Sequence, residues 1–315
     1  MLTVLTAADD SLHPAPPDDP SWTETMWLAF AVPSRHLSGV IYTVLRPNRD
    51  VGWLGVWMWD DTAHAETDIL YFQSYPHLPM PTNVADMELP CGFRQEVLEP
   101  GHRYRVSYDD QAELRLDLTF ASMHEPIGRE FDGGIAGSNQ LGRVAGEITF
   151  NQEQVPVDCF EFRGRSWSSR PDARMVLRPD EAGSLLCHAD TYATSPTTAF
   201  FVSSMGNLER TSVLSGHLLR DGEMHSITEG ERVVERDPVR GCPLRVVVEA
   251  TDEAGRTLRA TGTCVNQLLM ATIPGVPFPL WVGGTNWIID GEPAWGQDQD
   301  VPIGRPTPLL GPAVV

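Results

Sequence analysis

Glu161, Arg163, Arg165 and Trp167 recur at every second position of "VDCFEFRGRSWSSR" (157–170), which brings a carboxylate, two guanidinium groups and an indole together within seven residues. A strand over 155–170 would set Val157, Cys159, Glu161, Arg163, Arg165 and Trp167 on one face, and Asp158, Phe160, Phe162, Gly164 and Ser166 on the other. If the first face meets solvent, it is a polar sheet surface with a Glu161–Arg163 pair. If it points into a barrel, Arg165 stacks over Trp167 and Glu161 is a buried carboxylate held ionised by Arg163. One strand does not decide between the two. The chemistry within reach is acid catalysis on an apolar molecule. Such chemistry needs a carboxylic acid kept protonated by burial and aromatic faces that stabilise a cation. Asp158, Glu161, Glu125 and Asp190 are the acid candidates, and Trp57, Trp59, Trp167 and Trp287 supply faces.

Other chemistries are excluded by what the chain lacks. All 23 basic residues are Arg, so a Schiff-base lysine, a P-loop lysine and a kinase-type lysine are absent together. No G-x-S-x-G elbow supports Ser166, Ser168 or Ser169 as a nucleophile. The nine His form no H-E-x-x-H, and "MHEP" (123–126) lacks a second His, so no metal is expected. The glycines of "FDGGIAGSNQLG" (131–142) are misspaced for a dinucleotide loop, and no cofactor is expected. Five widely spread Cys without C-x-x-C read as reduced, mostly buried thiols. A net charge of −20 repels phosphate backbones and anionic lipid, which argues against nucleic acid or membrane partners. No apolar run approaches the ~20 residues of a membrane span, and the first twenty residues lack a signal-peptide pattern, so a cytoplasmic location is the expectation.

The elements that must position these residues read as strands. Alternating segments rich in β-branched and aromatic residues recur at 38–48, 51–61, 68–76, 102–110 and 112–122. Asp- and Gly-containing turns at 107–113, 178–184, 219–225 and 251–257 suit hairpins. Helical periodicity is scarce. The expectation is an all-β chain of two lipocalin-like antiparallel β-barrel or sandwich domains packed together, since closure removes exposed edge strands. Gly-rich 125–142 is the linker candidate, giving domains 1–142 and 143–315. "GGTNWIIDGEPAWGQDQD" (283–300) reads as a strand-turn-strand able to close the second barrel. In the first half, Trp53, Trp57 and Trp59 share a face, with Tyr71 on the next strand. They are either barrel core or the lining of a cavity for an extended apolar ligand.

"RVAGEITFNQEQVPVDCFEFRGRSWSSR" (143–170) resembles the junction region of the AttH-like and carotenoid 1,2-hydratase-like superfamily, whose signature runs Arg-Asp-x-Ser-Trp-Gly-x-Arg. "ETMWLAFAV" (24–32) and "GHLLRDGEMHSI" (216–227) match more loosely. The resemblance implies two lipocalin-like domains with an apolar cavity, and an activity such as adding water to an isoprenoid double bond or cyclising a substrate. Carried over residue by residue, the signature falls on Asp158, Arg163, Arg165, Ser166, Trp167 and Arg170. Two positions depart: Gly164 stands where the family has Asp, and Ser168 where it has Gly.

The reading is a protein that binds an isoprenoid or polyketide-like molecule in an aromatic-lined cavity and catalyses hydration, cyclisation or isomerisation without a cofactor. Asp158, Glu161, Arg165 and Trp167 are the catalytic candidates. Trp57, Trp59, Tyr71, Arg163, Arg170 and Trp287 are the substrate-binding ones. The alternative is a lipocalin-like carrier that performs no chemistry, which the missing acid at Gly164 favours. The sequence leaves the oligomeric state open.

Overall fold

The computed structural model describes residues 3–131, 134–170, 186–273 and 279–303. The turn expected at 178–184 lies outside them. Eleven strands form the first sheet: β1 (Trp22–Val32), β2 (Leu37–Arg46), β3 (Val51–Trp59), β4 (Tyr71–Leu78), β5 (Asp86–Leu89), β6 (Phe93–Glu99), β7 (Arg103–Asp109), β8 (Leu114–Ser122), β9 (Ile127–Phe131), β10 (Gly134–Phe150) and β11 (Glu153–Ser169). Nine form the second: β12 (Leu186–Thr194), β13 (Thr198–Asn207), β14 (Arg210–Arg220), β15 (Glu223–Arg236), β16 (Pro243–Asp252), β17 (Thr257–Cys264), β18 (Leu268–Met270), β19 (Leu280–Ile289) and β20 (Glu292–Ile303). Both are antiparallel and barrel-like, so the chain is all-β with two lipocalin-like barrels.

The first sheet runs β4-β3-β2-β1-β11-β10-β8-β7-β6-β5, with β9 added beside β10. Its central pairing joins β1 to β11, more than a hundred residues later. The second sheet closes on itself, because β17 pairs with both β16 and β19. The 283–300 segment performs that closure: β19 and β20 form a hairpin over Asp290–Gly291, where both residues take positive φ, and β20 continues onto β12.

Gly-rich 125–142 is not a linker. It forms β9 and most of β10, and the glycines serve close approach: a Cβ at Gly142 would overlap the Ala121 carbonyl and the Phe120 ring. The expected division at 142/143 falls inside β10, and the chain changes sheets only after Ser169.

Strands β1, β2 and β3 are buried along nearly their whole length, because one face packs into the first barrel and the other against the second. Three apolar clusters result. One fills the first barrel around Phe30, Tyr104 and Phe120. One lies between the barrels and unites Trp27, Tyr42, Trp53, Trp57 and Trp59 with Tyr192 and Phe201. The third fills the second barrel around Phe200 and Trp287. No helix among the described residues is long and apolar enough to cross a membrane. The five Cys are unpaired, and burial raises the pKa of each thiol.

Candidate functional site

Strand β11 alternates as its sequence requires: its even positions are exposed as far as Asp158, and from Glu161 to Trp167 both of its faces are covered. The odd positions point into the first barrel, where the chain's first residues plug the end. Arg165 pairs with Glu24 at 2.8 Å and donates to the Asp9 and Ser11 carbonyls. Arg163 lies 3.5 Å above the Tyr104 ring, donates to Gln140 and faces Asp10 at 3.4 Å. Trp167 stacks on His13 at 3.6 Å. The expected Arg165–Trp167 platform is therefore replaced by two pairings with the N-terminal segment. The space beside Arg163, among Met26, Leu28, Phe93 and Tyr104, is about 10 Å³, room for no more than one water, and a separate cleft of about 220 Å³ lies elsewhere on this barrel between Leu37, Met58, Ile148 and Val155.

Glu161 is not held ionised by Arg163. Its carboxyl is fully buried and accepts hydrogen bonds from Tyr192 (2.9 Å), Trp295 (2.9 Å) and Gln297 (3.4 Å), all on the second sheet. Burial pushes it up to about 7, against the opposing pull of these neutral donors and the Phe162 amide. Between the ordinary 4.5 and about 7 the native state therefore holds a proton that the unfolded chain releases. The associated stability is fully present below 4.5 and is lost as pH rises through about 7, ~3 kcal/mol in all. Glu161→Gln is expected to flatten this dependence. Urea midpoints at pH 5 and pH 8 should differ in the wild type and nearly coincide in the variant.

Asp158 stands on the outer surface, where Arg143 grips it in a two-pronged pair that lowers its pKa. Far from any enclosed space, it is expected to tolerate asparagine with an unchanged melting temperature and unchanged ligand binding. Glu125 is also exposed, beside His102.

From Phe162 onward the even face of β11 meets the second barrel, and Phe162, Gly164 and Ser166 border a cavity of about 320 Å³. Register places Trp27, Gly164 and Asn139 side by side across β1, β11 and β10, with Thr25 and Ser166 one step along. All five line this cavity. At Gly164 the Phe162 ring occupies the space a side chain would enter, and it stacks on Tyr192 (4.9 Å) and Phe201 (5.8 Å). The position that carries the family's acid is thus an aromatic wall here.

The carboxylate comes from the other barrel. Asp190 on β12 lines the cavity and pairs with Arg129 of β9 at 2.9 Å. His188 sits on the same face of β12, its Nε2 3.7 Å from Asp190 and 3.1 Å from the Ser203 hydroxyl. Burial alone would raise the Asp190 carboxyl, but the Arg129 charge, His188 and Ser203 outweigh it and hold the group below the usual carboxylate range. Arg170, opposite, reaches the Tyr42 hydroxyl at 3.4 Å and the Ser166 hydroxyl. Ile273, Leu280 and Val301 complete an apolar side.

Of the residues singled out by sequence, Asp190, Ser166, Arg165 and Arg170 border this cavity, Arg165 with its guanidinium committed to Glu24, Asp9 and Ser11. Trp57 and Trp59 lie in the packed cluster between the barrels, bonded through their indole N–H to Glu66 and Asn266. Tyr71 bonds Tyr108 inside the first barrel, and Trp287 is core of the second. The expectation of a common lining for these four fails, because β-strand alternation sends them into three separate clusters. Arg129 and His188 were missed: Arg129 lies on the first sheet, 61 residues before Asp190 on the second, and only the packing of one sheet against the other brings them together. Among the described residues, no three His, Cys, Asp or Glu converge as a metal site.

Residues 6–297 match a family described as a domain of unknown function, DUF7064. No curated protein matches the sequence. Among solved structures the chain is similar to a protein assigned to AttH from Nitrosomonas europaea, at 15% identity and a TM-score of 0.54, covering 89% of this chain and 91% of that one. It is also similar to CghA in complex with Sch210972, at 11% identity and a TM-score of 0.54, covering 90% and 89% respectively. What these two structures share with this chain is the fold.

Proposed function

As this chain belongs to the DUF7064 family and has the AttH-like two-barrel fold, we propose that it binds a largely apolar small molecule in the cavity between the barrels and catalyses a cofactor-independent proton transfer on it. The observation that carries this reading is the Asp190–Arg129 pair, set in a wall where Trp27, Tyr42, Phe162 and three aliphatic side chains stand beside polar Thr25, Asn139, Ser166, Arg170, His188 and Gln299. Polar groups converging opposite aromatic and aliphatic walls, in a pocket of this size, are what a ligand with both a polar and an apolar part requires. CghA, which shares the fold, was crystallised with Sch210972.

The state of the carboxylate selects the type of proton transfer. Asp190 is held ionised, so it acts as a base that removes a proton rather than as an acid that protonates an alkene. Arg170, on the opposite wall, is placed to bind the oxygen on which negative charge then gathers. His188, whose Nε2 lies 3.7 Å from Asp190, is placed to take over the proton that Asp190 removes and to deliver it to a second position of the molecule. Isomerisation or cyclisation of an isoprenoid or polyketide-like molecule bearing a carbonyl is the reaction this supports best. Hydration begun by alkene protonation would need a protonated acid at the cavity wall, and Glu161, whose proton is retained to about 7, stands behind Tyr192 instead.

The same ionised carboxylate also suits a carrier that merely holds a polar end of its cargo. Turnover separates the two. Incubating the protein with polyketide and terpenoid carbonyl compounds should yield an isomer of equal mass. A gain of one water would point to hydration, and unchanged compounds that nevertheless bind would leave a carrier.

A further inference from the structure

On the far side of Arg129 and Asn139 lies a second cleft of about 320 Å³, between β9, β13, β14 and β15. Arg129 and Asn139 line both spaces and form the partition between them. The cleft's walls are apolar at Ile127, Phe201 and Ile227, and Leu214, 63% exposed, stands at its rim.

Two buried polar atoms in this lining have no hydrogen-bond partner. They are Nε2 of His217 and Oδ1 of Asn139, on residues that are each 2% exposed. An unmatched buried polar group is costly, so its presence in a cavity wall marks a place where something else supplies the partner. The His217 ring is fixed by stacking on Phe201 at 5.7 Å and by an edge contact with His124 at 5.2 Å. Burial, and then His124, keep the His217 imidazole well below its ordinary titration range, and it is neutral. The one cation of the partition, Arg129, is already matched by Asp190.

We infer that this cleft is a second subsite, which receives a neutral hydroxyl-bearing apolar group, an alcohol or a phenol. With the imidazole proton on Nε2, His217 donates to the hydroxyl oxygen and the hydroxyl donates in turn to the Asn139 amide oxygen, so one O–H satisfies both. A carboxylate would find no free positive charge there. On the functional reading above, the group is the distal arm of the molecule whose reacting part lies beside Asp190. The subsite itself stands on the cleft alone.

The test compares 2-naphthol with naphthalene by equilibrium dialysis against the full chain. Wild-type protein should bind 2-naphthol at least about ten-fold more tightly, since naphthalene leaves both polar atoms unpaired. His217→Phe, which keeps an aromatic ring against Phe201, should bring the ratio close to one. Arg170→Leu, in the first cavity, should leave it unchanged. A wild-type ratio near one, no detectable binding of 2-naphthol, or a preference that survives His217→Phe would each overturn the inference. So would a preference lost only in Arg170→Leu, which would place the hydroxyl in the first cavity. Should His217→Phe fail to fold, the 15N resonance of the wild-type His217 ring reads the same contact. It must move on adding 2-naphthol and not on adding naphthalene, and an unmoved signal overturns the inference. Inactivity toward carbonyl compounds would leave these binding results standing, so the two readings fail separately.

Discussion

Asparagine at position 190 is expected to lower kcat by 10²–10⁴-fold, the usual contribution of a positioned general base, while KM changes little. The substitution keeps the volume and leaves an amide oxygen for Arg129, which now bonds the carboxylate at 2.9 Å. It removes the charge that accepts the proton. A merely structural role for Asp190 would instead weaken binding and lower the unfolding midpoint together, with kcat unaffected. The pH profile gives a second reading. Asp190 is ionised down to unusually low pH, so wild-type kcat should persist into acid and fall only as that carboxylate takes up a proton. In Asp190→Asn the residual rate should have no such acid limb. Retained activity in this variant would overturn the assignment of the base.

Arg232→Met is expected to destabilise the second barrel by about 3–5 kcal/mol, the range for breaking a buried ion pair from one side. Arg232 rises from β15 and is fully buried. It holds Asp298 through two nitrogens and Asp300 at 2.8 Å, both carried by β20 across the barrel. Asp300 also has Arg236 and the Cys187 thiol, and Asp298 has the Thr191 hydroxyl. Removing Arg232 therefore leaves Asp298 with a single neutral partner and no cation, deep in an apolar interior. The double variant Arg232→Met/Asp298→Leu should recover much of the loss, because no unpaired charge remains. Urea unfolding of the two variants and the wild type measures both effects. If the double variant is as unstable as the single one, packing rather than charge accounts for the cost.

The fold was legible because strand periodicity is a local property. The segments at 38–48, 51–61 and 112–122 became β2, β3 and β8, and "LRVVVEA" and "LRATGTCV" pair as β16 and β17. The Gly-rich stretch misled because glycine gives the same signal whether it loosens a chain or lets two strands press together, as at Gly142. Site residues were harder to find, since alternation identifies faces but not what each face meets. Glu161 and Arg163 do share a face, yet Glu161 turns to Tyr192 and Trp295 while Arg163 turns to Tyr104 and Asp10. Both sets come from other strands or from the N-terminal segment. Asp190 was visible only as one acid among several, and Arg129 carried no signal at all.

The pairing of β1 with β11 sets an order of events during synthesis. Strands β2 to β8 can form hairpins as they emerge, but β1 lacks its second neighbour until residues near 169 have been made. The plug at Asp9, Asp10 and His13 likewise waits for Arg163, Arg165 and Trp167. Until then the nascent chain exposes one long, largely apolar edge, the kind that recruits other chains. A fragment that stops at residue 142 would keep that edge permanently and should aggregate, whereas one that runs through Ser169 carries the strand that covers it.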